Sequence, residues 1–215
     1  IGGESTRPDA LPVNPEDEIK RVIPVIEKIR KHNIDIPISI DTRNFAAAKA
    51  AVEAGADIIN DVSGFDYDEK LFEYAVSNNI PSIIMHSDKV PAVSSDFDSG
   101  DIIEKIYFSL NQKIEKLINA GMKKKNIIID AGIGFGKSKE GCFQILKRIN
   151  EFKSLNVPII LGISRKSFIR NQFNIDMNEA DTVTAIYSAM LKCVNIHRVH
   201  NVKLVKKFLE FAEMC

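Results

Sequence analysis

Short apolar runs alternate with longer amphipathic stretches along the chain, the pattern of βα units built on a parallel sheet. After a strand end at Ile1, the runs that read as strands are Ile38-Ser39-Ile40, Asp57-Ile58-Ile59, Ser82-Ile83-Ile84-Met85, Ile127-Ile128-Ile129, Ile159 to Ile163 and Val194-Asn195-Ile196. Between them, helical periodicity covers Pro15 to Lys31, Asn44 to Ala54, Asp68 to Asn78, Ile102 to Ala120, Gly141 to Lys153 and Asp181 to Lys192. A last amphipathic helix is predicted over Lys203 to Met214. Asp66 and Asp68 supply start signals for the third helix, Gly55 and Gly121 supply stops, and Pro37, Pro81 and Pro158 each introduce a strand.

Strands this continuously apolar are buried on both faces, as in sheets covered by crossover helices. The predicted fold is α/β, a (β/α)8 TIM barrel forming a single domain over 1–215. Seven strands can be counted where such a barrel needs eight, and barrels of this kind run to about 250 residues. One βα unit is therefore expected to be missing at the front, before Ile1-Gly2-Gly3. The polar stretch Asp88 to Gly100 follows a strand directly and is expected to form a mobile flap.

Composition narrows the function classes. The 29 basic and 29 acidic side chains cancel, which argues against nucleic acid as a partner. No window approaches the roughly 18 consecutive apolar residues of a membrane span, and the first residues show neither a basic n-region nor an apolar h-region, so a cytoplasmic location is expected. Cys142, Cys193 and Cys215 lack C-x-x-C spacing, which suggests neither a disulfide framework nor a zinc ribbon.

Ligands of such barrels bind where the C-terminal strand ends meet, so the polar residues that stop each run are the candidates. In order they are Glu4-Ser5-Thr6-Arg7, Asp41, Asn60-Asp61, His86, Asp130, Ser164-Arg165-Lys166 and Arg198-Val199-His200. Each alone has an ordinary structural role open to it: Asp41 as a helix N-cap, Asn60 and Asp61 in an Asx turn, Lys166 as a solvated charge, His86 or His200 as a packing residue. Together they place acceptors (Asp41, Asn60, Asp130) among cations (Arg7, Lys166, Arg198, His200). Carboxylates can accept paired N–H donors from the amidine-like edge of a flat heterocycle, while Arg and Lys pair with phosphate oxygens. Gly132, Gly134 and Gly136 permit close backbone approach, and Phe135 offers an apolar wall. The turn at Ser164 to Ser167 suits an anionic group.

These residues resemble the dihydropteroate synthase family. Ile1-Gly2-Gly3-Glu4-Ser5-Thr6-Arg7-Pro8 is similar to its second-strand loop, Ser39-Ile40-Asp41-Thr42 to its third strand, and Ile59 to Gly64 to its fourth. Met85-His86, Asp130 to Lys137, Gly162 to Ser167 and Arg198-Val199-His200 resemble the fifth to eighth. The resemblance implies a transferase joining 6-hydroxymethyl-7,8-dihydropterin pyrophosphate to p-aminobenzoate, with pyrophosphate released. It places Asp41, Asn60, Asp130 and Lys166 on the pterin, with Val62, Met85, Phe135 and Gly162 lining its pocket. Arg198 and His200 then hold pyrophosphate, Thr6 and Arg7 belong to a mobile loop, and Pro8 and Ser167 receive p-aminobenzoate. Asp130, Lys166, Arg198, His200 and Arg7 form the implied catalytic set.

The resemblance also implies Mg²⁺ on the pyrophosphate, sulfonamides as inhibitors and a homodimer. The family's metal-binding Asn belongs to the first-strand loop that this sequence lacks, so no metal ligand is assigned here. Ala131 and Ile133 depart from the family's Pro and Phe. A corrinoid-linked methyltetrahydrofolate methyltransferase is the nearest enzyme alternative, but it has no departing pyrophosphate to explain Arg7, Lys166, Arg198 and His200. A non-catalytic pterin-binding paralogue is the alternative of another class.

Overall fold

The computed structural model describes residues 1–6, 10–87 and 100–214. Arg7, Pro8, Cys215 and nearly all of the stretch read as a flap lie outside the described residues.

Six parallel strands form one sheet in chain order: β1 (Ser39–Asp41), β2 (Ile58–Asp61), β3 (Ser82–Met85), β4 (Ile127–Asp130), β5 (Ile159–Leu161) and β6 (Ile196–His197). A parallel bridge from Gly2 to Asp41 continues the sheet beyond β1, where the seventh strand was expected. The helices are α1 (Pro15–Lys31), α2 (Phe45–Glu53), α3 (Glu69–Ser77), α4 (Ile102–Asn119), α5 (Lys139–Arg148), α6 (Ser167–Phe173), α7 (Met177–Met190) and α8 (Val202–Met214). This curled parallel sheet with alternating helices is the TIM-barrel type of architecture.

The expected boundaries hold to within a residue for α1, α2, α3, α4 and α8, and shift for α5 and α7. The helix expected to begin at Gly141 begins at Lys139, because the Ser138 hydroxyl accepts from the Gly141 amide. It gives way to a 3₁₀ stretch, Ile149–Leu155. The helix expected from Asp181 begins at Met177, where Asp176 and Glu179 form a reciprocal capping box. The short α6 was not separated as a helix in its own right, since seven residues carry too little periodicity to stand out. Gly55 and Gly121 stop α2 and α4 at φ of +113° and +109°.

A parity rule governs the sheet. Ile40, Ile59, Ile84, Ile127, Ile129, Ile159 and Leu161 join the continuous core formed with the helices. Successive strand side chains alternate between faces. Asp41, Asn60, Ile83, Met85, Ile128, Asp130 and Ile160 are therefore on the opposite, inner face. The register aligns them: Asp41 pairs with Asn60, Asn60 with Ile83, Met85 with Asp130, and Asp130 with Ile160. On the outer side α4 buries Ile102, Ile103, Ile106, Leu110, Ile114 and Leu117 at helical spacing.

Among the described residues, no helix is long and apolar enough to cross a membrane. Ile84 is fully buried in the centre of the sheet. Ile84→Ala is expected to lower stability by about 2–5 kcal/mol, the cost of lost burial plus a cavity, read as a fall in the denaturant midpoint without a change in slope.

Candidate active site

Asp41 and Asp130 end β1 and β4, Asn60 is the last but one residue of β2, and parity aims all three into the cup. Arg198, just past β6, reaches back to them: its Nη2 donates to Asn60 Oδ1 at 2.6 Å, and its Nη1 lies 3.7 Å from Asp130 Oδ2. Gly162 opposes the Arg198 stem, and a Cβ built there would touch that side chain at 3.6 Å. Asn60 Nδ2 is buried without a hydrogen bond of good geometry, although the amide is near enough to Asp41 to ease that residue's charge.

Burial pushes the Asp41 carboxyl above the usual range, against the pull of Arg198 and Asn60, and the neighbouring Asp130 adds to the rise. Burial likewise pushes the Lys166 ammonium down, opposed by Asp130. Lys166 Nζ donates to the Ile133 carbonyl and lies 4.6 Å from the centre of the Phe135 ring. Lys166 occupies the N-cap position of α6, yet its side chain turns inward and is not a solvated charge. Asp41 is not a cap either, since Asn44 takes that place for α2. Asp61 does form the Asx-type turn, accepting from Ser63 N, Ser63 Oγ and Phe65 N.

A cavity of ≈ 880 Å³ opens beside this cluster, lined by Thr6, Phe135, Lys137, Lys166, Ser167 and His200 among others. Its size is that of a small-molecule site. Asp41, Asn60 and Asp130 are not in its lining. Asn60 and Asp130 are faced by Arg198, and Lys166 with Phe135 forms the wall toward the cavity. His200 sits on its rim, Nδ1 2.8 Å from Ser164 Oγ, which also accepts from the His200 amide. Met85 and Val62 are buried at and just past their strand ends. The candidates thus fall into two adjoining groups: acceptors with Arg198, and the cavity group. Arg7 and Pro8 lie outside the described residues.

Three devices that were not assigned roles from the sequence shape the loops. Lys137 Nζ donates to the carbonyls of Gly132 (2.8 Å), Phe135 (3.1 Å) and His86 (3.3 Å), folding the glycine loop onto the neighbouring strand end. Gly132 is required there: its φ is +66°, and a Cβ would fall 1.9 Å from the His86 carbonyl oxygen. Glu4 pairs with Arg43 at 3.0 Å, both largely buried, and Arg43 stacks on Tyr67. The third is the Arg165–Asp181 pair, bidentate at 2.9 and 2.7 Å. Only the φ > 0 need of a glycine after a strand could have signalled any of them.

His86 proves to be a buried packing residue. Burial, with the Lys137 and Lys113 charges adding, pushes its imidazole down to about 3. The unfolded chain therefore binds a proton below pH ~6.5 that the folded chain refuses. Its contribution to stability is complete above that pH and is lost as pH falls toward 3. Between pH 6.5 and 4.5 this loss should reach about 2 kcal/mol. Denaturant melts of the unmutated chain and His86→Gln across that range should show a shallower acid decline in the variant.

The model of the family described as "Pterin binding enzyme" matches residues 1–200. A dihydropteroate synthase of Clostridium beijerinckii is 38% identical over 205 residues, spanning 94% of this chain and 74% of its own. The structure of dihydropteroate synthase from Anaplasma phagocytophilum, with bound 6-hydroxymethylpterin-monophosphate, superposes with a TM-score of 0.92 at 34% identity, covering 100% of this chain and 86% of that one. The Yersinia pestis dihydropteroate synthase in a sulfonamide drug complex superposes with a TM-score of 0.89 at 28% identity, over 99% and 78%.

Proposed function

The chain belongs to the pterin-binding enzyme family, and from that membership we propose how its residues divide the work of a dihydropteroate synthase. The activity is a folate-biosynthetic condensation: 6-hydroxymethyl-7,8-dihydropterin pyrophosphate and p-aminobenzoate give 7,8-dihydropteroate and pyrophosphate. The observation that carries the division of labour is the Arg198 guanidinium held by Asn60 and Asp130. A planar, multi-donor N–H edge is what these acceptors grip, and the pterin ring presents one of the same kind. The buried Asn60 Nδ2 remains to meet a ring acceptor.

In this reading Asp41, Asn60 and Asp130 hold the pterin edge, with Val62, Met85, Phe135 and Gly162 walling the ring and Lys166 at its side. Pterin binding displaces the Arg198 guanidinium toward the rim, where it joins His200 on the diphosphate. The C–O bond to the diphosphate breaks with its electron pair leaving on oxygen, while the electron-rich pterin and the Asp130 carboxylate stabilise the developing cation. The aryl amine then forms the C–N bond and sheds its proton. A weakly basic amine is already an unprotonated nucleophile, so no strong general base is required. Thr6, Arg7, Pro8 and the Ser167 backbone N–H receive p-aminobenzoate, and sulfonamides compete for that end of the cavity.

Mg²⁺ belongs to the proposal only as a companion of the diphosphate, whose charge it would neutralise. Among the described residues no group of three or more His, Cys, Asp or Glu could hold a metal, and no step is assigned to it. Mg²⁺ commonly keeps few protein ligands and binds through substrate phosphates. A cytoplasmic homodimer completes the proposal. Exposed Met190 on α7 and Phe211 and Met214 on α8 support pairing through these outer helices.

Lys166→Ala and Asp130→Asn should each lower turnover about 100-fold or more, as expected for groups acting on transition-state charge, while melting temperature changes little. Steady-state assays of dihydropteroate formation paired with thermal melts check this. Parallel losses of activity and stability would make both residues structural.

A further inference from the structure

Arg165 stands between Ser164 and Lys166 with φ of +59°, a left-handed conformation that non-glycine residues adopt only when their surroundings hold them there. The hold is visible. Its guanidinium forms a bidentate pair with Asp181, which is only 3% exposed, and its carbonyl accepts from Arg170 Nε at 3.2 Å. Asp181 is itself rigidly placed, one turn beyond the capping box that starts α7. It also lies against Asn201 and close to His200, in the loop after β6. The Asn201 side chain in turn accepts from the Leu204 amide, at the start of α8.

We infer that Asp181 is a positioning residue: by pinning Arg165 in the left-handed state it turns Lys166 and Ser167 into the cavity, and it locks that turn to the loop bearing His200. The inference rests on the proposed synthase reading and deepens it. Asp181 touches none of the acceptors that grip the pterin edge and is not in the cavity lining. Its influence runs through backbone conformation. An ordinary L-residue at 165 without the ion pair drifts out of the left-handed region, whereas glycine stays there at no steric cost.

The test compares Asp181→Asn, Arg165→Ala and Arg165→Gly in the intact protein. Arg165→Ala and Arg165→Gly both remove the guanidinium and leave the same buried carboxylate, so their difference isolates the backbone. Asp181→Asn and Arg165→Ala should lose about 10- to 100-fold in kcat/KM, chiefly through KM for p-aminobenzoate, as expected when a binding turn is misplaced. Arg165→Gly should keep about ten times the kcat/KM of Arg165→Ala. Affinity for 6-hydroxymethylpterin alone, read by fluorescence titration, should fall in Asp181→Asn and Arg165→Ala and fall less in Arg165→Gly, because Lys166, placed beside the ring, moves with the turn. Equal impairment of the alanine and glycine variants, or an Asp181→Asn enzyme with unaltered kinetics, overturns the inference. If Asp181→Asn does not fold, the alanine–glycine pair still decides. Failure of the synthase reading is distinguishable, because the unmutated protein would then form no dihydropteroate.

Discussion

The structure depends first on the locked register of its parallel sheet. Side chains alternate with period two along each strand, and strand pairing fixes which residues lie abreast. Asp41 beside Asn60 and Met85 beside Asp130 therefore share the inner face. A slip of one residue would exchange them for Ile40, Ile59, Ile84 and Ile129, burying carboxylates under the helices and opening the core to the cup. The apolar requirement of the outer face thus enforces the polar convergence of the inner one.

Convergence brings an electrostatic problem, and the answer to it shapes the site. Two carboxylates close together in a poorly hydrated cup repel one another, and Asp41 is pushed toward its neutral form by burial above all. Arg198 offsets this from the far edge of the sheet, 138 residues from Asn60 along the chain. Lys166 sits near Asp130 on the other side, its own charge disfavoured by burial. A site in this state is primed for a ligand that brings its own planar donors inward and its own anionic group to the rim. The cations move from balancing the acceptors to balancing the leaving group.

The loops around the cup are held by interactions that do not touch the reacting atoms. Lys137 gathers three carbonyls across the glycine loop, Arg43 and Glu4 anchor the segment leading to Thr6, and Ser164 clasps His200. Each exchanges loop freedom for hydrogen bonds shielded from water, where they count for more than on an exposed surface.

Much of this was legible in the sequence because it is local. Apolar runs bounded by proline and glycine mark strands, and spacing of three and four marks helices, so α1 and α4 matched expectation almost to the residue. The polar residues that close each apolar run, such as Asp41, Asn60 and Asp130, were legible for the same reason: a polar side chain after a run of isoleucines marks where the run stops. What escaped was whatever depends on two distant segments meeting. No local pattern indicates that Arg198 would bond Asn60, that His86 would be buried beside two lysines, or that Arg165 would be held in a left-handed turn by Asp181. Strand position, strand face and helix position follow from short-range hydrophobic periodicity and were fixed by the chain itself. Which charges neutralise one another, and hence which groups remain to act, was decided only when the closed packing of the fold brought those segments together.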